Sequence, residues 1–137
     1  MPTAPAPQTV QLRDGAGATI LVVEDEPAVL DMLRDLFSEA GYHVLAAANG
    51  IEAQARFDTG AQIDLLVTDV GLPGLNGRQV ADAARLTRPH LPVLFMTGYA
   101  ELAATTGGFL EPGMALIAKP FSIEAMFERV QQMLEQA

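Results

Sequence analysis

Four short apolar runs are each followed directly by polar residues, and this pattern dominates the chain. The runs lie at 20–23, before Glu24 and Asp25; at 65–67, before Thr68 and Asp69; at 93–96, before Thr97; and at 115–118, before Lys119. Continuous apolar runs of this length are typical of strands buried on both faces of a parallel sheet. The pattern therefore predicts four buried strands that each end in chemically useful side chains.

Helical spacing of apolar residues fills the segments between these runs. One predicted helix opens at Pro27, which suits a first helical turn, and ends at Gly41, which suits a C-terminal cap. A weaker helix opens at Asn49, which with Glu52 resembles a capping box. A short strand at 44–47 is predicted between these two helices.

Two further helices complete the predicted pattern. Asn76 is expected to cap a helix over about 78–87, and Ser122 is expected to cap a last helix whose apolar positions recur at helical spacing. Residues 100–113 contain several glycine and proline breakers, so only 100–104 favour a short helix there.

Strands that alternate with helices in this way predict the fold class. We expect an α/β fold, a doubly wound five-stranded parallel sheet with right-handed crossovers and strand order 2-1-3-4-5. The domain is expected to span 18–137. Residues 1–17 are rich in proline and alanine and bury too little apolar surface to offset their ordering entropy, so a flexible tail is predicted there.

The charge balance excludes one large class of partners. The chain has 137 residues, half of them apolar, and eight basic residues against 17 acidic ones give a net charge of −9. A nucleic-acid-binding protein needs a basic face that displaces counterions from phosphate, so nucleic-acid binding is not expected.

The lack of cysteine excludes disulfides and thiolate metal sites. No signal peptide or membrane-spanning run is recognisable, so a cytoplasmic protein without membrane contact is predicted.

The polar strand ends should meet, because ligands in an open parallel sheet bind outside the carboxyl ends of its strands. Glu24, Asp25 and Asp69 would then repel one another unless a cation binds among them, and their oxygen donors suit Mg²⁺. The Asp69 carboxylate can attack a phosphoryl group. Thr97 can donate a hydrogen bond to the phosphoryl oxygens, and Lys119, the only lysine, can neutralise their charge. Each residue alone also fits an ordinary strand end, so the prediction rests on the set.

The motifs that carry these residues resemble those of a receiver domain of a two-component response regulator, over about 19–134. The four motifs are Val22-Val23-Glu24-Asp25-Glu26-Pro27, Thr68-Asp69-Val70-Gly71-Leu72-Pro73-Gly74-Leu75-Asn76-Gly77, Met96-Thr97-Gly98-Tyr99 and Ala118-Lys119-Pro120-Phe121. The resemblance implies the flavodoxin-like receiver topology. The chain is most similar in appearance to receivers attached to hybrid sensor histidine kinases.

The resemblance implies a phosphoacceptor signalling domain of a phosphorelay rather than an enzyme with a separate substrate. It implies that Asp69 accepts a phosphoryl group from a sensor histidine kinase or a histidine phosphotransfer protein and becomes an aspartyl phosphate. Thr97 and Lys119 are implied to assist the transfer of the phosphoryl group to Asp69. Such a domain catalyses only its own phosphorylation and dephosphorylation, and it signals by contact with a downstream protein that the sequence does not identify.

The same resemblance implies the metal ligands. Asp25, Asp69 and the Gly71 backbone carbonyl are implied to bind Mg²⁺, and Glu24 is implied to help through a water molecule. A cis peptide bond is expected before Pro120. We expect the protein to be a monomer or a weak dimer.

Two positions concern the activation switch. Leu116 stands where many receivers carry an aromatic residue that reports activation, and the fourth helix of the family has little support in this sequence. Tyr99 either takes over part of the switching or is an ordinary half-buried loop tyrosine.

Several interpretations of function stay open. A single-domain response regulator is the first, and a receiver fragment of a hybrid histidine kinase is the second. An aspartate-nucleophile phosphohydrolase is disfavoured by Gly71, because such enzymes commonly place a general-acid aspartate two residues after the nucleophile. A flavin-binding module is disfavoured because the acids at 24–26 would repel a phosphate group.

Overall fold

The computed structural model describes residues 17–98 and 109–136, which form alternating strands and helices. The elements are β1 (Thr19–Val23), α1 (Pro27–Glu39), β2 (His43–Ala47), α2 (Gly50–Asp58), β3 (Leu65–Asp69), α3 (Gly77–Thr87), β4 (Val93–Thr97), β5 (Met114–Ala118) and α4 (Ile123–Gln136). The tail predicted at 1–17, apart from its last residue, lies outside the described residues. So do the short helix predicted at 100–104 and the switching role of Tyr99.

The five strands form one parallel sheet in the order β2-β1-β3-β4-β5, which confirms the predicted fold class and strand order. β3 pairs with β4 so that Asp69 lies opposite Met96. β4 pairs with β5 so that Thr97 lies opposite Ala118. This register brings the carboxyl ends of the strands to one edge of the sheet.

The three central strands are buried on both faces, as their apolar runs predict. All residues of β3 and β4, and all of β1 apart from Thr19, are buried. The prediction is wrong for β5, whose residues are half-buried or exposed. β5 lies at the edge of the sheet and has one strand neighbour, so it loses the cover that a second strand gives.

Helices cover both faces of the sheet and enclose two apolar clusters. On one face, Phe57 of α2 and Val80 of α3 belong to a cluster that includes Phe95 of β4. On the other face, Phe37 of α1 and Met126 of α4 belong to a second cluster. The removal of this apolar surface from water is the main force that holds the helices on the sheet.

Most predicted helix caps are present. The Asn49 side chain accepts a hydrogen bond from the Glu52 N–H at 2.9 Å. The Glu52 carboxylate, however, accepts from the Ala48 N–H at 2.7 Å, so the reciprocal bond of the predicted capping box lies one residue earlier than expected. Asn76 and Ser122 cap α3 and α4 as predicted, accepting backbone N–H groups at 2.9 and 3.0 Å.

The remaining predictions concern one peptide bond, membrane-spanning helices, the division of the chain, its location and its oligomeric state. The peptide bond before Pro120 is cis, as expected. Within the described ranges, no helix is both long and apolar enough to cross a bilayer. The division of the chain into a tail and a domain, the cytoplasmic location and the oligomeric state stay predictions.

Candidate functional site

Four strand ends place charged or hydroxyl-bearing side chains at the same edge of the sheet. Glu24 and Asp25 follow β1, Asp69 ends β3, Thr97 ends β4 and Lys119 follows β5. The Lys119 N–H donates to the Thr97 carbonyl at 2.8 Å and so keeps the last two strand ends in register. The structure therefore places at one edge all the strand-end residues that the sequence pattern singled out.

Lys119 joins two buried carboxylates. Its ammonium Nζ lies 2.7 Å from Asp69 Oδ1 and 3.0 Å from Glu24 Oε1. Glu24 is fully buried, and its second oxygen accepts a hydrogen bond from the Glu26 N–H at 3.0 Å. Buried carboxylates need such partners, because an uncompensated charge in this position would be strongly destabilising. The direct pairing of Lys119 with Glu24 is a contact that the sequence did not reveal.

The three charged groups perturb one another's ionisation. Burial and the adjacent Glu24 carboxylate raise the pKa of Asp69 to about 7, against the opposing effect of Lys119. Burial acts to raise the pKa of Glu24 as well, but hydrogen bonds with Asp69, a backbone N–H and Lys119 outweigh it and lower that pKa. Burial acts to lower the pKa of Lys119, and its two carboxylate partners outweigh burial and raise it. Asp69 therefore needs additional positive charge nearby to be fully ionised at neutral pH, as a nucleophile must be.

The carboxylates form a group that fits a hard divalent cation. One oxygen from each of Glu24, Asp25 and Asp69 lies within 4.8 Å of the others. Carboxylate oxygens suit Mg²⁺, which keeps several of its water ligands, and Asp25 is exposed on the solvent side of the group. Both Glu24 oxygens already accept hydrogen bonds, from Lys119 and from a backbone N–H. Asp25 and Asp69 are therefore better placed than Glu24 to bind an ion directly.

A glycine holds the loop after Asp69 close to the site. The Gly77 N–H donates to the Val70 carbonyl at 2.8 Å. A Cβ atom on Gly77 would lie 1.9 Å from the Asp69 carbonyl oxygen, so only glycine fits there. The sequence showed Gly77 as one of several loop glycines and did not reveal this close approach. Gly71 lies exposed in the same loop, and its role as a carbonyl ligand stays a prediction.

Thr97 is buried next to this group. Its hydroxyl donates to the Gly98 carbonyl at 3.3 Å, and no hydrogen bond joins it to Asp69 among the described residues. Its assistance to a phosphoryl group stays a prediction. Leu116, at the position that departs from the family pattern, packs against the apolar cluster that contains Phe95.

Comparisons with known proteins agree with this fold. Residues 20–131 match the family model described as the response regulator receiver domain. Sensor kinase CckA of Brucella abortus is 37% identical over 120 residues, which are 86% of this chain and 13% of that protein. Two transcriptional regulatory proteins of Mycobacterium tuberculosis match over 51% and 45% of their length, so the chain spans about half of them or less.

Two solved structures have a similar fold. A response regulator receiver protein from Sinorhizobium medicae has a TM-score of 0.78 and 32% identity, covering 87% of this chain and 95% of that one. Response regulator TrrA from Thermotoga maritima, solved in complex with Mg²⁺-BeF, has a TM-score of 0.72 and 26% identity, covering 85% and 98%. Because the family model matches most of the chain, this protein belongs to the response regulator receiver domain family.

Proposed function

We propose that this domain accepts a phosphoryl group on Asp69 from a histidine of a sensor histidine kinase or of a histidine phosphotransfer protein. The observation that carries the proposal is the position of Lys119 Nζ, 2.7 Å from Asp69 and 3.0 Å from Glu24, beside the exposed Asp25. An ammonium in contact with a buried carboxylate can neutralise the charge of a phosphoryl group transferred to it. The phosphorylated domain then signals by contact with a further protein.

The proposed step is a displacement at phosphorus. An Asp69 carboxylate oxygen attacks the phosphorus of a phosphohistidine, and a new O–P bond forms as the P–N bond breaks. The imidazole nitrogen leaves with the electron pair of the broken bond. Lys119 then pairs with phosphoryl oxygens, and the Thr97 hydroxyl turns from the Gly98 carbonyl to donate to one of them.

The proposal assigns Mg²⁺ to the acidic group. Asp25, Asp69 and the Gly71 carbonyl would hold the ion, with Glu24 acting through water. Bound there, the ion supplies positive charge to the oxygens of the transferring phosphoryl group. The raised pKa of Asp69 supports this assignment, because a nearby cation favours the ionised form that attacks. The complex of TrrA with Mg²⁺-BeF is a further reason to test the same ion here.

A small apolar groove between α1 and α4 is the surface proposed for the phosphodonor protein. Met32 and Ile123 line it and are 42% and 47% exposed, so the groove presents large apolar side chains to solvent. Phe121 also lines the groove and follows Lys119 by two residues. A donor seated on this groove therefore lies next to the edge of the sheet that carries Asp69.

Transfer from labelled donors tests the proposed function. Histidine kinases carrying radioactive phosphate are mixed, in Mg²⁺, with the wild type, with Asp69→Asn and with Asp58→Asn. Asp58 is an exposed carboxylate at the end of α2 and serves as the control. Label should move to the wild type and the control but not to Asp69→Asn. Label on Asp69→Asn, or none on the wild type from any donor or from acetyl phosphate, contradicts the proposal.

A further inference from the structure

Two arginines of α3 fasten residues 109–113, the segment that leads into β5. Arg85 donates to the Pro112 carbonyl at 3.0 Å and to the Leu91 carbonyl at 2.8 Å. Gly113 adopts a positive φ of 82°, and a Cβ atom there would lie 2.9 Å from the Arg85 guanidinium. The guanidinium thus occupies the space beside this glycine. Residues 109–113 are therefore held against α3 by specific contacts rather than by chain connectivity alone.

Arg78 makes the second attachment, which includes an ion pair. Its Nη2 lies 2.8 Å from Glu111 Oε2, while its Nε lies 3.0 Å from Asp82 Oδ1 on its own helix. Its Nη1 donates to the Phe109 carbonyl, and the guanidinium lies 5.7 Å from the centre of the Phe109 ring. Burial acts to lower the pKa of Arg78, and the two carboxylates outweigh burial and raise it, so the side chain stays charged. We call the contacts of Arg78 with Glu111 and Phe109 the Arg78 clamp.

The clamp is linked at two places to the edge of the sheet that carries Asp69 and Thr97. On one side, Arg78 directly follows Gly77, the residue that packs against the Asp69 backbone. On the other side, the Phe109 ring packs edge-on against Phe95, with ring centres 4.9 Å apart. Phe95 and Thr97 are two residues apart on β4, so their side chains lie on the same face of the sheet.

We propose that Arg78 is a positioning residue that restrains phosphorylation, because its clamp holds the Phe109 ring against Phe95, on the face of β4 that carries Thr97. The clamp thereby stabilises the arrangement in which the Thr97 hydroxyl faces the Gly98 carbonyl. The inference rests on the proposed function, in which Thr97 has to turn toward a phosphoryl group. A contact biases an equilibrium only if it is stronger in one of the two arrangements. The clamp opposes phosphorylation, and its loss favours the arrangement that binds a phosphoryl group or its mimic BeF₃⁻.

The test compares two carboxylates that pair with the same guanidinium. Glu111→Gln removes the carboxylate charge that pairs with Arg78 across the clamp. Asp82→Asn removes the carboxylate charge that pairs with Arg78 within α3. The two side chains are 52% and 56% exposed, so the variants are matched in exposure. Glu111 Oε1 also lies 3.9 Å from Arg85 Nη1, so Glu111→Gln weakens that attachment of residues 109–113 as well. Titration of each protein with BeF₃⁻ in Mg²⁺, followed by calorimetry, gives the Kd. Because partly exposed ion pairs contribute modestly, we expect Glu111→Gln to bind about two- to fivefold more tightly than the wild type. Asp82→Asn should bind BeF₃⁻ with the same Kd as the wild type.

Three results would count against the proposal. An unchanged or weaker affinity in Glu111→Gln overturns it, and so does an equal gain in Asp82→Asn, which would indicate a general weakening of α3. Thermal unfolding of the same proteins separates stability from positioning, because a purely structural role of Glu111 would lower the melting temperature and leave the Kd unchanged. A wild type that binds no BeF₃⁻ refutes the proposed function as well, whereas the other outcomes concern the clamp alone.

Discussion

Replacing Asp69 by asparagine should stabilise the metal-free protein at alkaline pH, although it removes one of the two ion pairs of Lys119. Asp69 is 5% exposed, and burial with the Glu24 carboxylate raises its pKa from 3.8 to about 7. An acid whose folded pKa is raised contributes a stability that is fully present below its unfolded pKa. That contribution is lost as the pH rises through the folded pKa. The folded wild type therefore loses stability between about pH 4 and pH 7, and a neutral asparagine avoids this loss.

The size of the stabilisation by Asp69→Asn follows from the raised pKa of Asp69. Each pKa unit corresponds to about 1.4 kcal/mol, so the rise of the Asp69 pKa from 3.8 to about 7 sets an upper limit of about 4 kcal/mol at pH 8. The lowered pKa of Glu24 offsets part of this penalty, because the two carboxylates share one ammonium. We expect Asp69→Asn to raise the free energy of unfolding by about 2–4 kcal/mol at pH 8. For a domain of this size the melting temperature would rise by roughly 8–16 °C.

Thermal unfolding in EDTA at pH 5 and pH 8 measures this difference. The gap between Asp69→Asn and the wild type should widen from pH 5 to pH 8, while Asp58→Asn, whose carboxylate is exposed, should follow the wild type at both values. An Asp69→Asn protein that melts at or below the wild-type temperature at pH 8 would refute the reasoning. So would a gap that does not change with pH.

Three other substitutions test the metal site, the groove between α1 and α4, and the close approach of Gly77 to Asp69. Asp25→Ala should raise the melting temperature in EDTA, because it relieves repulsion, and should abolish the stabilisation by Mg²⁺; an unchanged Mg²⁺ response excludes Asp25 as a ligand. Ile123→Glu should slow transfer from a histidine kinase about tenfold or more but leave labelling by acetyl phosphate unchanged. Leu86→Glu, at an 85% exposed leucine of α3, is the matched control and should leave both reactions unchanged. Gly77→Ala should cost about 2 kcal/mol or more in a denaturant titration, because its Cβ would overlap the Asp69 carbonyl; full stability would contradict that contact.

The sheet and its edge could be predicted because the information is local. A polar residue that directly follows a buried apolar run has to lie at the end of a strand, and parallel strands place such ends together. The pattern therefore predicts Asp69 and Lys119 at the edge, although it does not reveal the contact between them. The run before Lys119 nevertheless belongs to an edge strand that is only partly buried, because an apolar run does not reveal how many strands lie beside it.

Contacts between distant residues could not be predicted in the same way. Lys119 pairs with Glu24 across 95 residues, and Arg78 contacts Phe109 across 31. Helical and strand periodicities report which face a residue lies on, but they carry no information on which loop packs there. The close approach of Gly77 to the Asp69 backbone depends on a loop conformation that many glycine-containing sequences could adopt. These contacts appear only when the elements are assembled.

Asp69 is the proposed phosphoacceptor, and chemical trapping of an aspartyl phosphate identifies the carboxylate that is modified. The wild type is treated with acetyl phosphate in Mg²⁺, reduced with borohydride, which converts an aspartyl phosphate to a stable alcohol, and mapped by peptide mass spectrometry. We expect modification at Asp69 alone, and none in EDTA or in Asp69→Asn. Modification of Glu24, Asp25 or another carboxylate in place of Asp69, or an unmodified wild type, would contradict it.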